Sequence, residues 1–252
     1  PVTSSRIAEA RDRARSFEQV KSDNSISYGI SKIRTTVDRF KTSQEAVTYF
    51  ERRAYQNQND LERYGRLLAY MRNGRLEEAQ NIVDYLMDKH PDVIAYHIAL
   101  GDILVLLRQN DGAIAVFEDA IRLFPRNVPL VIAFAKRLLE LNQAEKSHNL
   151  LLDLLNNVLP TPDQIRLIAR AASEAGKNAE SLYYLSEYRL MIGDLIGGIA
   201  HLQQALRLPQ LQEIQRIRFE ARIDFIREFM TEEQLRRMQR RQPSGRSVRN
   251  SR

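Results

Sequence analysis

The sequence predicts an all-α fold, an α-solenoid of stacked helical hairpins that is irregular around residues 162–178. Two observations predict it. Ala46, Ala79, Ala113 and Ser147 recur every 33 or 34 residues, and Phe50, Val83, Phe117 and Leu151 each follow four positions later. A small residue and a large apolar one a helical turn apart share one helix face. Repeating that pair at this period describes hairpins that bury their apolar faces only by stacking on one another. The second observation is compositional: 252 residues, 43% hydrophobic and 28% charged, with only 10 Gly and 8 Pro, mostly where helices join. Such a chain buries a substantial core and breaks into helices at defined points.

Taken in order, the hairpins begin with one over roughly 27–59, which keeps Ala46 and Phe50 but little else of the pattern. Unit 60–93 has Gly74 at its inter-helix turn, Ala79, and Pro91 at its end, with Leu67 where a small residue is expected. Unit 94–127 is the clearest. Gly101, Ala113 and Ala120 let helices approach closely, Phe117 fills the space they leave, and Pro125 stops the second helix for want of an amide donor. Unit 128–161 keeps Ala135, Leu138, Leu151 and Leu154, with Ser147 in place of alanine and Pro160 one residue late. These units resemble the tetratricopeptide repeat, in which His97 stands where tryptophan is usual, so that corner is expected to be packed less fully. Residues 163–175 read as a single helix ended by Gly176, and a further unit spans about 179–209, with Gly193-Asp194, Gly198, Leu202 and Ala205. Three helices therefore occupy a stretch where two units need four, so the stack is expected to change direction or lose regular packing there. Residues 210–241 read as capping helices.

Charge is concentrated at one end. Of the formal net charge of +6, residues 231–252 hold seven arginines against Glu232 and Glu233. Thr231 with the two glutamates is a helix start, and 242–252 read as a disordered basic tail. Such a tail either contacts an anionic surface, nucleic acid or acidic lipid, or is merely solvated. No aromatic residue follows Phe229 to stack on bases, which weighs against nucleic acid as the partner.

Catalytic patterns are missing from the sequence. His90, His97, His148 and His201 are scattered, with no two four apart, so no HExxH motif exists. His90 is placed to meet the last carbonyls of the helix that Pro91 ends; the others read as structural or exposed. No glycine-rich loop carries a phosphate-binding lysine, and zero cysteines exclude disulfides and thiol chemistry. The expected reading is a chain that is not itself an enzyme and holds no cofactor. No run approaches the ~18–20 apolar residues that span a bilayer. No signal peptide is visible, and a start at Pro1 without methionine reads as a fragment.

The first residues, Pro1 to Arg11 (PVTSSRIAEAR), are similar to a stretch at the end of the catalytic domain of HExxH zinc metallopeptidases. With a linker at about 18–26 and degenerate repeats that include Tyr64 to Gly74, residues 1–209 resemble the C-terminal half of the periplasmic β-barrel assembly-enhancing protease family. The resemblance implies that 1–26 closes an upstream peptidase domain, whose zinc lies outside this chain, and that 27–209 is its repeat domain. It implies a periplasmic location, packing on the chain's own peptidase domain, and engagement of the outer-membrane barrel assembly machinery or unfolded barrel precursors. It assigns Arg6, Ile7 and Arg11 to folding or domain packing. A free-standing repeat scaffold and a nucleic-acid-associated repeat protein are the alternatives.

Recognition by shape is the expected mechanism. First helices line the inside of such a stack, and counting within the units places Tyr64, Leu68, Arg72, Asp102, Lys136 and Glu140 there, with Tyr183 and Glu187 beyond the irregular segment. Apolar groups mixed with both signs of charge suit an extended or incompletely folded polypeptide. Ile98 and Ile132 stand where carboxylate-clamping repeats place lysine. Tyr64 and Tyr183 equally suit packing, or the seat of a neighbouring domain.

Overall fold

Several helices start on a capping side chain. In the computed structural model, which describes residues 4–15, 26–57, 59–209 and 211–241, every regular element is helical. They are α1 (Ser4–Arg15), α2 (Ile26–Asp38), α3 (Ser43–Gln56), α4 (Asp60–Asn73), α5 (Leu76–Lys89), α6 (Ile94–Leu106) and α7 (Asn110–Leu123). There follow α8 (Val128–Glu140), α9 (Ala144–Leu155), α10 (Pro162–Glu174), α11 (Asn178–Met191), α12 (Leu195–Leu206), α13 (Glu213–Glu228) and α14 (Glu232–Arg241). Thr42, Asn59, Asn127 and Asp194 accept amide hydrogen bonds at the starts of α3, α4, α8 and α12, and Thr161 with Gln164 forms a reciprocal cap on α10. The tail 242–252 and most of the 18–26 linker lie outside the described residues.

The turns keep time. Gly74, Arg108, Asn142 and Gly176 all adopt left-handed backbone and stand 34 residues apart. Glycine does so freely. Arg108 and Asn142 do so at a cost of about 1–2 kcal/mol, a strain that the packing of the hairpins offsets. Gly193 is left-handed too, but only 17 residues after Gly176. The α10–α11 hairpin is therefore in phase with those before it, and the missing helix of the 163–208 stretch shows up one turn later, at α11–α12. Helix α11 packs extensively on both α10 and α12.

The described residues divide into two compact units, one on either side of the Pro91–Asp92 bond. In the first, Ala46, Phe50, Ala79 and Val83 are fully buried, as their ladder requires. The close approach expected near Leu67 occurs at Gly65 instead, where a Cβ would come within 2.2 Å of the Phe50 ring. Leu67 is simply buried core. Helix α2 lies along α4, with Gly29 against Leu61. In α1, Arg6, Ile7 and Arg11 are exposed.

In the second unit, α6 and α7 close on Gly101, whose missing Cβ would sit 2.4 Å from the Phe117 ring. Phe117 stacks on Phe134 at 5.0 Å and joins Ala120, Leu130 and Leu138 in one cluster. Burying each such side chain contributes about 1.5–3 kcal/mol. His97 is buried against Phe124, ring edge to face at 5.5 Å, so the corner expected to be loose is filled. Ser147 replaces alanine without penalty because its hydroxyl donates to the Ala135 carbonyl at 2.9 Å. A terminal cluster of Ile199, Leu202, Phe219, Ile223 and Ile226 takes in Met238 and Leu235 from α14.

Candidate polypeptide-binding surface

The residues assigned to an inner surface by counting are mostly spent on holding helices together. Tyr64 is fully buried, and its hydroxyl accepts a hydrogen bond from Arg34 Nε at 2.9 Å, which corrects its assignment to a ligand-facing surface. Arg72 donates to the Val37 and Phe40 carbonyls, at 2.9 and 3.0 Å, and so caps the end of α2. Leu68 is half-buried on the same helix. Tyr64 and Arg72 fix α2 onto α4.

The five in the second unit follow a similar rule. Asp102 on α6 accepts from Arg137 Nε on α8 at 2.7 Å, and Arg137 also reaches Glu140 at 2.5 Å. Burial alone would lower the Arg137 pKa, but Asp102 and then Glu140 more than reverse this and raise it. Glu187 on α11 takes both oxygens to Arg222 on α13, at 2.8 and 2.7 Å. Tyr183 stacks on Phe219 at 5.7 Å, with the Arg218 guanidinium 4.0 Å from its ring centre. Lys136 and Glu140 alone among the five are exposed. Asp102–Arg137, Glu187–Arg222 and Arg72–Val37 are each separated by 35 residues, one position more than the 34-residue repeat. An acid followed at that spacing by an arginine is a sequence signal for such a fastener, and counting positions within single units does not register it.

The outer face of α3 stays open in the first unit, where α2 lies along α4. A cavity of about 670 Å³ opens there, lined by Phe40, Thr42, Gln44, Glu45, Thr48, Tyr49, Arg52, Arg53 and Gln56. Phe40 and Tyr49 meet at 5.0 Å, and Tyr49 meets the buried Phe50 edge-on at 5.0 Å, giving an aromatic floor. Arg53 lies 5.6 Å from the Tyr49 ring centre while its guanidinium binds Glu62 at 2.8 and 2.6 Å. That hydrogen bond keeps Arg53 protonated above its ordinary value. Arg52 is exposed on the rim. The arrangement accepts an apolar side chain, with hydroxyl and amide groups placed to meet a peptide backbone. Sequence reasoning missed it because Phe40 sits in a turn, outside the repeat pattern.

The histidines serve structure. His90 Nε2 lies 2.9 Å from Asp60 Oδ2, so its ring meets a carboxylate at the start of α4 and not the last carbonyls of α5. Asp60 also binds Lys89 and Arg63, at 2.7 and 2.8 Å. Burial would raise its pKa, but Lys89, His90 and Arg63 together lower it to about 2. His148 is buried, with Glu180 Oε2 3.1 Å from Nε2 but off the line a hydrogen bond needs. Burial lowers its pKa, with Lys177 adding to the effect and Glu180 opposing it. Among the described residues no three His, Cys, Asp or Glu side chains gather as a metal site would need.

Comparison with known proteins agrees with this geometry. No family model matches the chain. It is 25% identical over 232 residues to the β-barrel assembly-enhancing protease of Escherichia coli, covering 90% of this chain and 47% of that protein. Its Vibrio cholerae counterpart is 26% identical over 232 residues, covering 89% and 47%. The chain thus spans about half the length of the curated relatives it matches. The crystal structure of PilW, a widely conserved type IV pilus biogenesis factor, superposes with a TM-score of 0.53 at 18% identity, over 86% of this chain and all of that one. The fold is thus a tetratricopeptide-repeat solenoid, and the chain is similar in sequence to about half the length of the β-barrel assembly-enhancing proteases, with no HExxH motif in its own sequence.

Proposed function

We propose that the chain is the non-catalytic, protein-binding repeat domain of a periplasmic zinc metalloendopeptidase of the cell envelope. In that role it recruits outer-membrane β-barrel precursors, or the barrel assembly machinery, for quality control and proteolysis. The observation that carries the reading is the match along nine-tenths of the chain to proteins named β-barrel assembly-enhancing proteases. The repeat fold over the same residues supports it, because stacked hairpins offer extended surfaces to polypeptides. Zinc belongs, on this reading, to the part of the relatives' length that the chain does not span, and its own scattered histidines are no substitute. No helix among the described residues is long and apolar enough to cross a membrane.

Within this role the α3 cavity takes an apolar side chain of an unfolded segment against Phe40 and Tyr49. Fluorescence anisotropy of a labelled, denatured barrel precursor diluted into the purified chain tests the reading. Tyr49→Ala with Arg52→Glu is expected to weaken capture about tenfold, the scale of a central aromatic contact, while circular dichroism stays unchanged. Undiminished capture removes the cavity from the site. Failure of the unaltered chain to bind either precursors or assembly subunits overturns the function.

A further inference from the structure

Helix α13 is apolar on two sides. Phe219, Ile223 and Ile226 face the terminal core, whereas Ile214, Ile217 and Phe225 are 75%, 59% and 49% exposed. Together with the exposed Ala221 these make four residues at i, i+3, i+7 and i+11, a single stripe turned away from the core. Phe229 extends it at 64% exposure, its ring 5.0 Å from that of Phe225. Helix α14 directs Leu235 and Met238 into the core and leaves the stripe open. The stripe presents roughly a few hundred Å² of apolar surface, the size of patch that marks an interaction site.

The borders of the stripe differ in sign. At 100° per residue, Arg218 and Arg222 flank one side, and Glu213, Asp224 and Glu228 the other. Two such helices paired antiparallel about a two-fold axis would set like borders together. Paired parallel, each helix sets its basic border against the other's acidic one. Arg222 is already held by Glu187, and Asp224 by Arg227 at 2.8 Å. Glu213 is 78% exposed and only loosely paired, 3.8 Å from Arg216, and Arg218 is exposed beyond the Tyr183 ring. Glu213 and Arg218 are five residues apart, the spacing at which flanking charges of parallel paired helices meet.

We propose that a second copy of this chain covers the stripe. The two α13 helices run parallel, Ala221 allows their close approach, and Glu213 of each copy pairs with Arg218 of the other. The interface lies at the small end of stable ones, about 1,200 Å² in total, and a dimer at micromolar concentration is expected. Sedimentation equilibrium of the full chain over roughly 1–200 μM tests this. A concentration-dependent dimer is expected, with Ile217→Glu or Phe225→Glu raising its dissociation constant at least about tenfold at unchanged helicity. Glu213→Arg and Arg218→Glu are each expected to weaken self-association, and an equimolar mixture of the two variants to recover it by forming the mixed pair. A monomer at every concentration, or a dimer indifferent to Ile217→Glu and Phe225→Glu, overturns the proposal. A mixture no tighter than its components overturns the parallel arrangement.

Discussion

Gly101→Ala sets two effects of known sign against each other. In an open helix interior the change stabilises by about 1 kcal/mol, because alanine restricts the unfolded chain and glycine does not. Here the added methyl would lie 2.4, 2.7 and 2.9 Å from three atoms of the Phe117 ring. That ring is fully buried and stacked on Phe134, its planes only 11° apart, so it cannot swing aside without disturbing a second aromatic. Overpacking a closed core costs about 1–3 kcal/mol. Clash therefore wins, and the variant is expected to be destabilised by roughly 1–2 kcal/mol, net of the propensity gain. Gly112 is the control, since a methyl there meets only Leu104 at 3.8 Å, so Gly112→Ala should be neutral or slightly stabilising. Urea melts followed by circular dichroism measure both. Combining Gly101→Ala with Phe117→Leu should cost less than the two changes added, because the smaller side chain relieves the clash. Gly101→Ala as stable as the parent would refute the packing argument for the whole ladder.

Three further outcomes follow from single contacts. Asp60→Asn discards the ion pairs that lower its pKa from 3.8 to about 2, and should cost about 1–2 kcal/mol at neutral pH in thermal melts. In the parent chain this contribution is present above pH 3.8 and is lost as the pH falls through about 2. His148 acts at milder acidity: its folded pKa is below the ordinary 6.5, so the unfolded chain takes up the proton first. Stability is then full above 6.5 and declines as the pH falls from there through the folded value, and His148→Phe should flatten that decline. Tyr64→Phe removes the acceptor of a part-buried Arg34 hydrogen bond and should lower stability by about 1 kcal/mol, with no change in precursor capture.

The alternation of small and large residues was legible because it is the packing itself: Ala113, Phe117 and Gly101 carry both the period and the contact. The same logic missed Gly65, which does the work of Gly101 two positions away from the expected place. The predicted inner surface failed for a different reason. Counting along one hairpin places Asp102 and Glu187 on the concave side, yet what covers that side is the next first helix, 35 residues on. Surface polarity in the sequence does not distinguish a charge awaiting a ligand from one already answered within the chain. The left-handed Arg108 and Asn142 were likewise hidden, because their conformation is imposed by the closure of α6–α7 and α8–α9 and not by a glycine.

The turn at Gly193 has a consequence for which helices lead the stack. Helix α11 closes a hairpin with α10 by the regular beat, yet through Glu187 and Tyr183 it is bound to α13 as leading helices are bound to one another. One member of the series thus holds both ranks, and the line of leading helices α6, α8 and α10 is carried on by α11 and not by α12.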